Sequence, residues 1–233
     1  MRDSAASFGP AAFRYLVLVP ERASLYPTKS AAGALLGQQL ANRGYQSCIL
    51  LGITPEGVEV AANAARAMGA QFDVLVASFI KLGSNLAPIG AMAESAPSEI
   101  DPDFLPGMNL IEKLQSAIDE ARARVKQDLV LYRTQRPVKA LAGRTAVVVD
   151  GQVIFPWRVL AAAKAAEVLG ATRVIIATPV ATEVAAERIR ARRYDFVCPT
   201  LIMDAEGHPA PYGDSVGDSP ERLKSIMIAH QAA

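Results

Sequence analysis

Short apolar runs alternate with helical patterns along most of the chain. Six runs read as strands: 14–19 (RYLVLV), 47–53 (SCILLGI), 72–79 (FDVLVASF), 146–149, 173–180 (RVIIATPV) and 194–202 (YDFVCPTLI). Strands that are apolar throughout and separated by single helices are typical of a parallel sheet covered on both faces. The pattern therefore predicts an α/β protein with a doubly wound, mainly parallel sheet that has helices on both faces.

Helices are predicted between these strands from apolar spacing and from residues that cap or stop helices. One helical face is formed by Val58, Ala61, Ala62, Ala65 and Met68, and another by Val159, Ala162, Ala163, Ala166 and Leu169. Further helices are predicted from Ser30, as a cap, to about Arg43, over 109–128, over 182–193 and from Ser219 onward, with Gly44 and Gly69 as stops. Ligands of such sheets bind beyond the carboxyl ends of the strands, where the strand order reverses.

The middle of the chain breaks this alternation. Residues 83–108 contain four prolines and are predicted to be mostly irregular, as are residues 203–218. Together with the charged helix at 109–128, the irregular stretch is interpreted as a small cap, inserted at about 81–135 over the ligand-binding edge. The whole chain, 1–233, is interpreted as a single domain.

Composition and charge exclude some classes of function. The chain has 24 Lys and Arg against 23 Asp and Glu, so no global field attracts nucleic acid or an anionic membrane. No run approaches the roughly 18 apolar residues of a membrane span, and the N-terminal stretch MRDSAASFGP lacks the apolar core of a signal peptide. We expect a cytoplasmic protein with no nucleic-acid partner and no membrane insertion.

No residue pattern typical of a metal site is found. Cys48 and Cys198 are far apart and lie in or beside apolar runs, which favours buried thiols over a disulfide or a metal site. His208 and His230 have no neighbouring ligand pattern and are interpreted as surface residues. The basic cluster at 188–193 ends a predicted helix, where cations suit the dipole, and a solvated helix end is favoured over an RNA-binding patch.

The loop after the strand at 146–149 has an unusual composition for its position. The strand ends in Asp150, and a helix follows at a junction where α/β proteins often bind phosphate. A phosphate loop needs glycines and hydroxyls, but this loop continues Gly151-Gln152-Val153-Ile154-Phe155-Pro156-Trp157. Pro156 has no N–H to donate, Phe155 has no hydroxyl, and bulky side chains resist a tight backbone wrap.

Three segments, in this order and spacing, resemble type I phosphoribosyltransferases, specifically a bacterial subgroup of that family. They are 51–77 (LGITPEGVEVAANAARAMGAQFDVLVA), 81–95 (KLGSNLAPIGAMAES) and 145–181, which begins TAVVVDGQVIFPW. The first resembles the subgroup's strand, Pro-Arg-Gly-Gly-Val turn and helix, and the third resembles its phosphoribosyl pyrophosphate motif. The resemblance covers about 27–197 and implies transfer of a ribose 5-phosphate from its pyrophosphate, with Mg²⁺ as cofactor only where catalysis is retained.

Matching the family motif residue by residue shows what this chain has changed. The motif has two acids for the ribose hydroxyls and then Gly-x-Ala-Thr-Gly for the 5′-phosphate. Asp150 keeps the first acid, Gly151 replaces the second, and Gln152 replaces the first glycine. In the pyrophosphate turn the arginine is lost, and Glu56 and Gly57 follow Pro55. The resemblance therefore assigns vestigial ligand-binding positions to Gly57, Lys81, Gly151 and Gln152, with Asp150 as a vestigial catalytic residue.

Several of these residues keep two readings. Asp150 is either a surviving ribose ligand or the cap of a turn. Glu56 is either a metal-bound carboxylate or, as we favour, a salt-bridged turn residue. Phe155, Pro156 and Trp157 either form an exposed anchor for a protein partner or fill the vacated nucleotide pocket. Lys81 and Tyr212 match the family faintly, and a solvated lysine and a loop tyrosine are the favoured readings.

The sequence therefore leaves two main functions open. The favoured hypothesis is a phosphoribosyltransferase-like protein that has lost donor binding and catalysis and serves as a binding, regulatory or assembly module, with a protein partner or by homo-oligomer formation. The alternative is an active transferase of the family with an altered donor or acceptor. A dimer in which the strand at 14–19 pairs across copies is a third possibility.

Overall fold

The computed structural model describes residues 24–53, 55–104, 110–133, 139–204, 206, 208–214 and 219–229. The predicted strand at 14–19, Thr54 and His230 lie outside these ranges. Every described helix is too short or too polar to cross a membrane.

Helices and short strands alternate along the described chain. The helices are α1 (Lys29–Asn42), α2 (Glu56–Met68), α3 (Ile111–Arg133), α4 (Trp157–Val168), α5 (Glu183–Ala191) and α6 (Pro220–Ala229). The first five strands are β1 (Cys48–Ile53), β2 (Gln71–Leu75), β3 (Ala77–Ile80), β4 (Gly90–Ala93) and β5 (Glu99–Ile100). The others are β6 (Thr145–Val149), β7 (Gln152–Val153), β8 (Arg173–Ala177), β9 (Val180–Thr182), β10 (Asp195–Val197) and β11 (Thr200–Ile202).

The central sheet has five strands in the order β10-β8-β6-β1-β2, and every pair in it is parallel. Successive residues of β1 face opposite sides: Leu50 packs in one hydrophobic cluster with α1 and α2, and Leu51 packs in the other with α4. The predicted fold class, a parallel sheet with helices on both faces, is confirmed. From β1 the chain adds β2 on one side and β6 on the other, so the strand order reverses between β1 and β6.

Three predicted strands are wrong in one respect: each is two strands in different sheets. The run 72–79 leaves the central sheet at Val76, where β3 begins an antiparallel sheet with β4 and β5. The runs 173–180 and 194–202 break before Pro179 and Pro199, and their second halves, β9 and β11, pair in a small parallel sheet with β7. A proline has no N–H for the ladder, so each proline ends the strand before it.

Of residues 83–108, those that the structure describes are mostly irregular, as predicted, apart from the short strands β4 and β5. The predicted start of the first helix is corrected. The cap of α1 is Thr28, whose hydroxyl accepts a hydrogen bond of 3.0 Å from the Ala31 amide, while the Ser30 hydroxyl donates to Asn63. The stops at Gly44 and Gly69 are confirmed, since both have positive φ.

Buried ion pairs hold the outer helices in place. Near the end of α3, the guanidinium of Arg133 lies 2.9 Å from Glu94 beside β4 and 3.6 Å from Asp73 on β2. On α6, Arg222 lies 2.8 Å from Glu59 of α2. Each pair replaces the water that a charged group would otherwise need. Burial also raises the pKa of both thiols, Cys48 and Cys198, to about 11.

The packing of α1 on α2 predicts a strict need for glycine at Gly37. A Cβ atom there would lie 2.5 Å from the Ala64 carbonyl oxygen and 3.0 Å from its Cα, so the helices would have to separate. We expect Gly37→Ala to lower the free energy of unfolding by about 1–3 kcal/mol in urea denaturation, the usual cost of overpacking. Gly83→Ala is the control, because its nearest neighbour would be a Leu86 side-chain atom at 3.5 Å. Equal effects would contradict this packing argument.

Candidate functional site

The candidate site lies at the carboxyl ends of β1 and β6, where the strand order reverses. Open α/β sheets bind their ligands at such points. The chain leaves β1 into the first turn of α2, and it leaves β6 through Asp150 into the loop before α4. Of the residues predicted from the sequence, Glu56, Gly57, Asp150 and Gly151 meet here.

Both glycines allow these two segments to touch. A Cβ atom on Gly57 would overlap the Val149 carbonyl oxygen and lie 2.9 Å from the Asp150 Cα. A Cβ atom on Gly151 would lie 2.9 Å from both the carbonyl oxygen and the Cβ of Glu56. The segments that follow β1 and β6 are therefore in close backbone contact at this point.

Asp150 is 2% exposed, and its carboxylate accepts three hydrogen bonds from the protein. The Nη2 and Nε atoms of Arg158 donate to Oδ1 and Oδ2 at 2.9 and 3.0 Å, which makes a bidentate pair. The Gly151 amide adds a third hydrogen bond, to Oδ1, at 2.8 Å. Because bidentate Arg–carboxylate pairs are among the strongest hydrogen-bonded contacts, Asp150 is held in place by the protein itself.

Arg158 also reaches the turn after β1. Its Nη2 lies 2.9 Å from Oε2 of Glu56, which confirms the reading of Glu56 as a salt-bridged turn residue. Glu56 is partly exposed, so this second pair is weaker than the pair with Asp150. The guanidinium also lies 4.8 Å from the centre of the Phe79 ring. One cation thus joins the first turns of α2 and α4 and rests on β3.

The charges of this group depend on one another. Burial raises the pKa of the Asp150 carboxyl, the Arg158 guanidinium opposes that rise, and the Glu56 carboxylate adds to it. For Arg158, burial acts to lower the pKa, but the carboxylates of Asp150 and Glu56 raise it by a larger amount. The pKa of Arg158 therefore lies above its ordinary value. The guanidinium therefore stays charged, and its charge limits the rise in the pKa of the buried Asp150 carboxyl.

Residues 152–157 divide between the interior and the surface. Gln152 and Val153 pair with Val180 and Ala181 as β7, and the Ile154 carbonyl accepts a hydrogen bond from the Thr182 hydroxyl. Trp157 is 3% exposed and Pro156 is buried, whereas Phe155 is 37% exposed. Trp157 therefore packs inward and is not an exposed anchor, whereas Phe155 remains accessible to a partner.

The loop at 208–214 closes over the other side of Asp150. Tyr212 is buried, and its hydroxyl donates to the Gly151 carbonyl. The Tyr26 ring lies 6.3 Å from the Tyr212 ring, and Tyr26 shares a 2.8 Å hydrogen bond with Thr200. Tyr212 is therefore a loop tyrosine, as favoured from the sequence, and it is part of the packing around the site.

A cleft of about 870 Å³ opens beside Arg158, between α3 and the segment after β3. Lys81 lines it, 6.0 Å from the Phe79 ring, together with Lys113 and Arg124. Glu120 and Asp128 line it as well. Basic side chains outnumber acidic ones in this cleft, so a small anion would be attracted to it.

Arg158, which carries most of these contacts, was missed by sequence reasoning. A signal was available: the second residue of a helix is a poor place for a cation, because the N-terminus of the helix dipole is positive. An arginine there indicates carboxylate partners nearby. Phe79 and Tyr26 gave no such signal, because the residues that they contact, Arg158 and Tyr212, are distant from them in sequence.

The residues present do not fit a bound Mg²⁺. Within the described ranges, no group of three or more His, Cys, Asp or Glu side chains is placed to hold a metal ion. Both oxygens of Asp150 already accept hydrogen bonds from the protein. No catalytic step can therefore be assigned through a metal at this position.

Removal of the guanidinium should destabilise the fold, because it leaves the Asp150 carboxylate buried and unpaired. We expect Arg158→Met to lower the free energy of unfolding by about 3–5 kcal/mol, measured by urea denaturation at pH 7.5. The double variant Asp150→Asn with Arg158→Met should recover much of this loss. The deficit should also shrink as the pH is lowered, because protonation of Asp150 removes the buried charge that has lost its partner in this variant.

Arg173→Met is the matched control, because Arg173 pairs with Asp195 on the surface, where such pairs contribute little. The free energy of unfolding should hardly change in this variant. If the two single variants behaved alike, the buried pair would have no special role.

The comparisons with known proteins agree with this architecture. No protein-family model matches the chain. Two curated proteins of Mycobacterium tuberculosis, from strains CDC 1551 and H37Rv and each named "Putative phosphoribosyl transferase", are 28% identical over 178 residues, or 75% of this chain. The chain spans 40% of the length of these relatives.

Among solved structures, the crystal structure of TT1426 from Thermus thermophilus has a TM-score of 0.72 and 29% identity, and the match covers 88% of this chain and 98% of that one. Purine phosphoribosyltransferase from Pyrococcus horikoshii is more distant, with a TM-score of 0.43 and 15% identity. The resemblance predicted from the sequence motifs is confirmed at the level of sequence, because the Mycobacterium tuberculosis relatives are named putative phosphoribosyl transferases, and the chain shares the fold of TT1426.

Proposed function

We propose that this protein has lost the binding of phosphoribosyl pyrophosphate and the catalysis that its relatives' names indicate, and that it acts as a binding, regulatory or assembly module. The observation that carries the proposal is the bidentate pair between Asp150 and Arg158. The acid that would meet the ribose hydroxyls is buried and already accepts three hydrogen bonds from the protein.

Electrostatics at the same position support the proposal. Asp150 and Glu56 supply two negative charges and Arg158 supplies one positive charge, so the group keeps a net negative charge. A phosphorylated sugar brings further negative charge to this point and would be repelled. A donor that displaced Arg158 would leave Asp150 unpaired, at a cost of about 3–5 kcal/mol.

The loss of phosphate-binding groups also weakens the binding of a phosphorylated donor. Pro156 precedes α4 without an N–H, and the backbone of Gln152 and Val153 pairs with β9. Each charge-assisted hydrogen bond contributes about 1.5–3 kcal/mol, so two or three lost bonds and one lost acid amount to roughly 4–8 kcal/mol. Since about 1.4 kcal/mol is a factor of ten in affinity, a micromolar donor would become one that barely binds.

Titration calorimetry with phosphoribosyl pyrophosphate and Mg²⁺ tests the proposal. We expect no binding tighter than about millimolar, a weakening of about a thousandfold from a micromolar donor. Thermal-shift measurements at the same concentrations should show no stabilisation. Asp150→Asn is the matched control: micromolar binding to the unaltered protein that this variant abolishes would overturn the proposal.

A second function, transfer from an altered donor, is favoured by one observation: the basic cleft between α3 and the segment after β3. Lys81, Lys113 and Arg124 could hold a smaller anion there without displacing Arg158. Titration with ribose 5-phosphate separates the two functions. Our leading proposal predicts no binding tighter than about millimolar, whereas micromolar binding that Lys113→Ala weakens would favour the second.

A further inference from the structure

We infer that an apolar groove beside Phe155 binds a short protein segment whose aliphatic residues are flanked by arginine or lysine. The inference rests on the proposed function, because it names the surface and the class of partner of a binding module. The groove, of about 530 Å³, lies between the loop at 154–157, the first turn of α5 and the residues Met203, Asp204 and Glu206. This volume is within the range of sites that hold a compact ligand.

The walls of the groove expose an unusual amount of apolar surface. Met203 is 72% exposed, Val184 is also exposed, and Phe155 is 37% exposed. Ala87 and Pro88 complete the apolar wall on the far side. Several exposed large apolar side chains around one concave surface indicate an interaction site, whereas single ones scattered over a surface do not.

The floor of the groove is held rigidly. Trp157 lies beneath it, with the Arg188 guanidinium 5.2 Å from the centre of its ring. That guanidinium pairs with Asp101 at 3.0 Å and with Asp103 at 2.8 Å, so α5 is tied to the segment after β5. A preformed floor lowers the entropic cost of binding, which favours a real site over a flexible depression.

The charge of the lining selects the partner. Asp101, Asp204 and Glu206 face a single cation, Arg188, so carboxylates are in excess. Phosphates, nucleic acid and anionic lipid headgroups are repelled by this arrangement. A protein segment that combines aliphatic side chains with flanking basic residues fits both the apolar walls and the acidic rim.

The probe for this site is the synthetic peptide FRYLVLVPER, which has the sequence of residues 13–22 of this chain and the required chemistry. The protein has one tryptophan, Trp157, at the floor of the groove, and the peptide has none. We expect the peptide to change the tryptophan emission of the full-length protein in a saturable way. Raising the salt concentration should weaken binding, and a peptide with both arginines replaced by glutamate should bind at least tenfold more weakly.

Variants of exposed residues locate the binding without disturbing the core. Met203→Glu should weaken the peptide at least tenfold and Glu206→Lys severalfold. Ile228→Glu is the control, because Ile228 is equally apolar and exposed but lies on α6, outside the groove. No saturable change, or equal binding to Met203→Glu and the unaltered protein, would overturn the inference.

Light scattering distinguishes a peptide segment from a second whole copy. The mass could double in the unaltered protein, remain doubled when the peptide is added, and return to that of one copy in Met203→Glu. This result would identify a second copy as the occupant and overturn the inference. Failure of the peptide to bind would overturn this inference but would not affect the proposal that the protein no longer binds phosphoribosyl pyrophosphate. Micromolar donor binding at Asp150 would overturn the proposed function while the groove still bound the peptide.

Discussion

The guanidinium of Arg158 is the group on which the arrangement at the sheet edge depends. It lies between a buried carboxylate after β6 and a partly exposed carboxylate after β1, and it rests on the Phe79 ring from β3. A charge as buried as that of Asp150 is tolerable only with a partner at hydrogen-bonding distance. The same guanidinium also reaches Glu56. The partner that makes the burial of Asp150 possible therefore also joins the segments that follow β1 and β6.

Much of the fold could be predicted from the sequence because it depends on local pattern. The apolar runs in β1, β6 and β8 and the helical faces of α2 and α4 are regular, and glycines at 44 and 69 mark the helix ends. Where the sequence misled, the reason was a change of partner within one continuous apolar run. A run such as 72–79 carries no hint that its second half pairs with residues at 90–93 in a different sheet.

The candidate site could be predicted only in part, for a physical reason. The motif comparison placed Asp150 and Glu56 at one edge, because the carboxyl ends of neighbouring parallel strands must meet. The contacts of Arg158, Phe79, Tyr26 and Tyr212 depend on side chains that reach across several elements. Tyr212, in particular, comes from a loop more than sixty positions away, and backbone contacts of that loop with the segment around Tyr26 bring it to Gly151.

The contact between Gly151 and Glu56 limits which residues can stand at position 151. Any side chain at 151 would collide with the main chain of the facing turn, so a larger residue there requires the first turn of α2 to withdraw. A single substitution cannot achieve that, because Arg158 holds the turn in place through Glu56. A change at position 151 therefore has to be matched by a change in the facing turn of α2.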